Sequence, residues 1–223
     1  MSVTAAVNTL SVGIRVLANI TVIDTPVVSN AMEYAQTHSE PYLFNHAVRS
    51  WLFAVRLAEI QGIPYDAEVV AVSSLLHDIG LTTGFAGPRR FEIEGADAAR
   101  AFGRGQGLDE RRLQLIWDSV ALNSTPSIGM YKEPEVAICT AGVVLDFGGP
   151  QYDQISPDEM NSILAAFPRL GMKRCFTDAV CEVVKTKPQT TYDNFARDFG
   201  ERFVPGYTRP STVDFLMNAP FPE

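Results

Sequence analysis

The sequence predicts an all-α protein folded as one helical domain, and three observations predict it. Apolar residues recur at three- and four-residue intervals along most of the chain, which places them on one face of a helix. Proline and glycine cluster at the ends of the main stretches, where helices start and stop. No convincing run of alternating strand residues, no internal repeat and no linker divides the 223 residues.

The first clear helix spans residues 41–60, PYLFNHAVRSWLFAVRLAEI. Phe44, Val48, Trp51, Val55 and Ala58 share a face, Pro41 opens the helix, and Gly62 and Pro64 close it. The next runs from Asp66, a natural N-cap, to Ile79. It is apolar nearly all round, through Val69, Val70, Val72, Leu75 and Leu76, which marks it as central. After the loop GFAGPRR at 84–90, two shorter helices are expected at about 93–102 and 109–122. GRGQG at 103–107 follows a helix and lacks the spacing of a dinucleotide loop, so it reads as a solvated turn. A helix opens at Pro134 and runs through Val143, Val144 and Leu145 to Asp146, where FGGP stops it.

Ser156 with Glu159 forms a capping box around Pro157, and Thr190 with Asp193 gives a similar acidic start. Helices near 172–186 and 191–203 complete the set. The domain is expected to cover 1–223, with its chemistry in about 24–146 and the helices of 150–223 packed on that part. The aromatic residues of the last stretch, among them Phe176, Phe195 and Phe199, are expected to close the core or a subunit contact.

A net charge of −8 and a pI near 4.9 argue against nucleic-acid or anionic-membrane partners, which favour a basic face. A small-molecule substrate is compatible with this charge. No apolar stretch approaches the ~20 residues that cross a bilayer. The first 20 residues carry no basic residue before Arg15, so they do not read as a secretory leader. Cys139, Cys175 and Cys181 are odd in number and show no CxxC spacing, as expected for thiols of a reducing compartment. The cytoplasm is the expected location.

The chain has three histidines, His38, His46 and His77. His46 lies on the flank of the first long helix beside Asn45 and Arg49, and His77 and Asp78 end the central helix. Asp146 ends the helix that starts at Pro134. Each stands in an apolar neighbourhood, and charges at the ends of buried helices need compensation, which a metal ion supplies. Two imidazoles and two carboxylates suit Zn²⁺, Fe²⁺ or Mn²⁺. The same residues also fit a plainer account, with hydrogen-bonded core histidines, Asp78 as a turn acceptor and Asp146 capping a loop. Residue type and spacing leave both open.

Motif order separates them. FNHAVRSW at 44–51, SLLHDIG at 74–80, RRFEIEGADAAR at 89–100 and LD at 145–146 together resemble the HD-domain superfamily, and more closely its cyanamide hydratase branch. DTP at 24–26 and NSTPSI at 123–128 fall where that branch has similar segments. The resemblance implies a helical bundle of the HD-domain type with His46, His77, Asp78 and Asp146 around one divalent metal, zinc before Fe²⁺ or Mn²⁺. It also implies a metal-dependent hydro-lyase that adds water to a small nitrile-like substrate such as cyanamide, giving urea, through a metal-bound hydroxide. Asp78, Asn123 and Thr125 are the candidate catalytic residues, with Tyr131 in the same loop and Glu92 and Glu94 as supporting acceptors. A homo-oligomer is expected by analogy alone.

Three departures sharpen the reading. Many HD phosphohydrolases carry lysine where Leu81 stands, and an apolar side chain cannot stabilise phosphoryl oxygens. Arg89 or Arg90 would have to substitute, against pairing with Glu92 or Glu94. Two-metal members resemble one another in two further histidines, at positions held here by Phe91 and Asn123, so a second metal is not expected. Asn123 also stands where the cyanamide hydratases carry histidine, and asparagine cannot titrate near neutrality. The alternative function is phosphohydrolysis of a nucleotide or small phosphate ester.

Overall fold

Residues 13–221 are described by a computed structural model, and they enter the fold through a hairpin. β1 (Gly13–Leu17) pairs antiparallel with β2 (Ile20–Asp24), from Leu17 opposite Ile20 to Gly13 opposite Asp24. This corrects the expectation of no strand. Ile20 and Val22 are buried while Thr21 between them is exposed, which is the period-two pattern of a half-buried strand. The turn requires positive φ at Ala18 (48°) and Asn19 (67°), and without an adjacent glycine it lacks the usual two-residue hairpin signature. Residues 1–12, on which much of the leader argument rests, lie outside the described residues.

Next comes α1 (Pro26–His38), which the helical spacing did not single out. Thr25 caps it by accepting the Val28 N–H, and Pro26 takes its first position, so DTP is a helix start. α2 (Pro41–Gln61) ends where Gly62 turns left-handed at φ 64°. α3 (Ala67–Leu76) is capped by Asp66, which accepts from Glu68 and Val69, and is buried from Val69 to Leu76. α4 (Phe91–Gly105) and α5 (Glu110–Leu122) are longer than and close to their expected spans, and they pair beside α3. The single turn α6 (Pro126–Gly129) leads to α7 (Pro134–Gly148), which packs mainly on α2. A Cβ at Gly142 would overlap the Ser50 carbonyl and stand 2.7 Å from the Ala54 nitrogen, so glycine lets α7 approach the α2 backbone.

α8 (Pro157–Ala166) begins with the expected Ser156–Glu159 capping box. α9 (Met172–Thr186) matches its expected span, whereas α10 (Ala196–Phe203) starts five residues late. The Thr190 hydroxyl donates to the Lys187 carbonyl within a 3₁₀ turn, and Asn194 instead accepts the Ala196 N–H. α11 (Thr212–Met217) exposes Phe215 and Met217. No helix among the described residues is long and apolar enough to cross a membrane.

The architecture is all-α apart from the hairpin, and its interior has two parts. The larger is built around α2, α3 and α7 and contains the fully buried Trp51, Leu52 and Ile116. The smaller joins Leu43 at the start of α2 to Met172, Phe176, Val180 and Val184 of α9 and Ala196 of α10.

Candidate metal centre

The central helix stops earlier than expected, and that places two adjacent polar residues at one point. α3 ends at Leu76; His77 keeps helical angles, Asp78 turns to φ −106° and ψ 11°, and Ile79–Leu81 form a 3₁₀ turn. Gly80 makes the turn fit. A Cβ there would overlap the Phe91 carbonyl and stand 2.8 Å from the Gly95 nitrogen. The glycine of LLHDIG and that of EIEGA thus allow one close backbone approach.

Three ligand-type atoms converge on this junction. His77 Nε2 lies 3.1 Å from His46 Nε2 and 3.1 Å from Asp78 Oδ2, and His46 Nε2 lies 3.5 Å from the same carboxylate oxygen. All three residues are buried. His77 Nδ1–H donates to the Ser74 carbonyl at 2.8 Å, and His46 Nδ1–H donates to Asp146 Oδ2 at 2.6 Å. These bonds assign both tautomers and turn the two Nε2 lone pairs towards each other and towards a carboxylate. Lone pairs facing at that distance require a cation between them, either a proton or a metal ion.

The donor set fits a metal. Asp78 Oδ2 is buried without a hydrogen-bond partner. Ligands held ~2.0–2.1 Å from a tetrahedral ion stand about 3.3 Å apart, close to the observed triangle. Among the described residues, His46, His77 and Asp78 form the one such group of three or more. Phe91, where a further histidine would serve a second metal, is buried with its ring edge-on to Phe195.

Asp146 takes a different place from the one expected. It binds the opposite nitrogen of the His46 ring, and Arg49 engages it twice, Nε to Oδ1 and Nη2 to Oδ2, each at 2.7 Å. Arg169 adds a contact to Oδ1 at 3.3 Å. With its oxygens held by two guanidinium groups, Asp146 lies outside the group of three, where it would orient His46 towards a bound ion. Arg49 is fully buried, one turn after His46, and the sequence reading placed it beside His46 without giving it a role. Its spacing in an apolar helix was the available signal.

Electrostatics follow these contacts. Burial lowers the His46 pKa, outweighing Asp146. At His77 burial works the same way, but Asp78 and the Ser74 carbonyl together raise it. Burial disfavours both carboxylates in ionised form, yet His77 holds Asp78 low, and His46 with Arg49 holds Asp146 well below the usual range.

A cavity of about 250 Å³ opens beside the triangle. His46, Asp78, Asn123 and Ser124 form its polar end; Val143, Val144, Pro126, Phe147, Phe176 and Phe195 form the rest. The Asn123 amide nitrogen donates to the His77 and Val120 carbonyls at 3.1 and 2.7 Å. Ser124 donates to Glu92 at 2.6 Å, and Glu92 pairs with Arg90. Thr125 is absent from the cavity wall, which Ser124 and Pro126 on either side do reach, and Tyr131 is exposed. Glu94 is occupied by Arg89 at the surface. Leu81 packs against the smaller apolar cluster, so the position that would carry a phosphate-binding lysine anchors α9 and α10 instead. Phe176 and Phe195, expected to close core or interface, line the cavity, as does Phe147. No curated protein matches the sequence. Residues 43–160, more than half of the chain and the part that carries His46, His77, Asp78 and Asp146, match the HD domain model, and the chain belongs to the HD-domain family.

Proposed function

We propose that the chain is a metal-dependent hydratase that adds water to a small nitrile-like molecule of the cyanamide type. Membership of the HD-domain family and the buried His46–His77–Asp78 group support a metal-dependent enzyme of hydrolase type. His46, His77 and Asp78 hold one divalent ion, zinc by the nature of the donors, and Asp146 keeps His46 in the ligating tautomer. Such an ion supplies Lewis acidity, bringing water towards a neutral pKa and polarising a bound nitrile.

The observation that carries the proposal is the cavity lining, which includes His46 and Asp78 of the metal triangle and no lysine or arginine. A phosphate ester needs cations on its oxygens. The nearby arginines are committed, Arg49 to Asp146 and Arg90 to Glu92. A neutral substrate has no such need.

Asn123 sets the orientation. Both of its amide hydrogens go to backbone carbonyls, so the nitrogen faces them and Oδ1 remains as an acceptor at the wall. Oδ1 carries no proton to give to the nitrile nitrogen; it accepts an N–H of the substrate and fixes its approach. Phe147, Phe176 and Phe195 make the remaining lining apolar, with Phe147 itself half-exposed.

Elemental analysis coupled to a urea assay tests the proposal. The expected result is one zinc per chain and urea from cyanamide, lost on chelation and restored by zinc. Phosphate release from a panel of nucleotides and phosphate esters, with no hydration of any nitrile, would replace it by the phosphohydrolase reading.

A further inference from the structure

We infer that the preferred substrate is a monosubstituted cyanamide, R–NH–C≡N, in which R is an apolar group of about phenyl size. This inference rests on the hydratase reading and adds what the rest of the cavity is for. Cyanamide has three heavy atoms and would leave most of about 250 Å³ unfilled. An apolar cavity of about 150 Å³ accommodates benzene, so the space here takes a phenyl ring and a short polar arm together.

The walls divide along the same line. His46, Asp78, Asn123 and Ser124 gather at one end, where a nitrile and one N–H are met by His46, Asp78 and Asn123 Oδ1. The other end has no polar side chain. Phe147 and Phe176 pack edge to face with centroids 5.4 Å apart, and Phe195 stands 6.3 and 6.4 Å from them. Rings this close to one another form a continuous wall, which suits an aromatic or aliphatic face, and they do not surround a cation. Phe195 is held in turn by Phe91 and Phe199, at 6.0 and 5.8 Å. A wall fixed from behind selects by shape.

The N–H on the substrate matters separately. A nitrile without an N–H, such as benzonitrile, fills the apolar end but offers nothing to Asn123 Oδ1, leaving a polar atom covered and unpaired. The reaction is R–NH–C≡N + H₂O → R–NH–C(O)–NH₂. The water oxygen bonds to the nitrile carbon, the carbon–nitrogen triple bond is reduced to a single bond in the urea, and both water protons finish on the former nitrile nitrogen. No oxidant or second reactant is needed.

The test has a binding arm and a turnover arm on the full chain loaded with zinc. Binding of the products, N-phenylurea and urea, is measured calorimetrically. N-phenylurea is expected to bind at least tenfold more tightly, the effect of burying one phenyl-sized group. Phe195→Ala and, independently, the more exposed Phe147→Ala each reduce that preference severalfold. Equal binding of the two ureas, or a preference that survives both substitutions, overturns the inference. In turnover, kcat/KM is expected to be at least tenfold higher for N-phenylcyanamide than for cyanamide and benzonitrile, and a flat series overturns it. Failure to hydrate any of the three, with N-phenylurea still preferred over urea, overturns the hydratase reading while the assignment of the apolar end to a phenyl-sized group stands.

Discussion

The matched region, 43–160, and the segment from Met172 onward meet at one cavity and bring different things to it. The first supplies every polar group of the lining, His46, Asp78, Asn123 and Ser124, together with Pro126, Val143, Val144 and Phe147. The second supplies Phe176 and Phe195. Their interiors differ as well. The candidate ligands are fixed at junctions of a large apolar core, with glycine at Gly80 and Gly142 to let backbones touch. Phe176 and Phe195 belong to or pack on a small cluster of six buried residues. Chemistry is therefore built where displacement is hardest, and selectivity where few contacts must change. Local opening free energies follow buried apolar contact, so α9 and α10 should open before α2, α3 and α7.

The sharpest way to break this division is to remove one residue from each side. His77→Ala should abolish stoichiometric zinc, with the affinity falling at least ~100-fold, because two ligands remain where three converge. Phe176→Ala should retain one zinc per chain, since Phe176 approaches His46 only by ring contact at 6.2 Å. Loss of zinc from both would mean that the two regions form one unit.

Asp146 gives the next largest effect and separates two roles. Asp146→Ala leaves Arg49 buried without its partner and should cost ~3–5 kcal/mol in chemical denaturation. Asp146→Asn should still bind zinc, ~10–100-fold more weakly, as expected for a residue that orients a ligand. Zinc loss as complete as in His77→Ala would make Asp146 a fourth ligand.

These residues also show what the sequence can reveal. His46, His77 and Asp78 were legible because ordered motifs fix them on helices whose apolar faces are unmistakable, and the main helices followed from the same periodicity. Asp146 was legible as a position but not as a role, because Arg169, 23 residues further on, is brought to it by a loop that no local pattern specifies. Phe176 and Phe195 could not be told from core residues, since a phenylalanine facing a cavity and one facing a core are the same letter at the same spacing. The hairpin was missed because its turn residues, Ala18 and Asn19, lack glycine. Thr125 was one residue away from the hydroxyl that reaches the wall, Ser124, a distinction set by the loop conformation.

Gly80→Ala tests the junction itself, with a smaller effect. The added methyl meets the Phe91 carbonyl, which belongs to backbone and cannot swing aside. A loss of ~1–3 kcal/mol is expected, together with weaker zinc binding, as the 3₁₀ turn moves off α4 and takes Asp78 with it. Unchanged stability would show that the close approach of Gly80 and Gly95 is not required.

The mildest probe reads both regions in one unmodified molecule, through its thiols. Cys139 is fully buried on α7 against the Ser74 hydroxyl of α3, and burial pushes its pKa up to about 12. At pH 8 it is therefore a protonated, shielded thiol, and the thiolate is the reactive form. Cys175 and Cys181 lie on α9, the first half-buried and the second buried with its pKa raised by burial. With a thiol reagent at pH 8 and no denaturant, Cys175 should react first. Cys181 should follow at the rate at which α9 opens locally, and Cys139 only as the whole protein unfolds. Mass spectrometry of the labelled peptides resolves the order. If Cys181 and Cys139 react together at every denaturant concentration, the segment that carries the apolar wall opens only with the core, and the cavity is rigid on both sides.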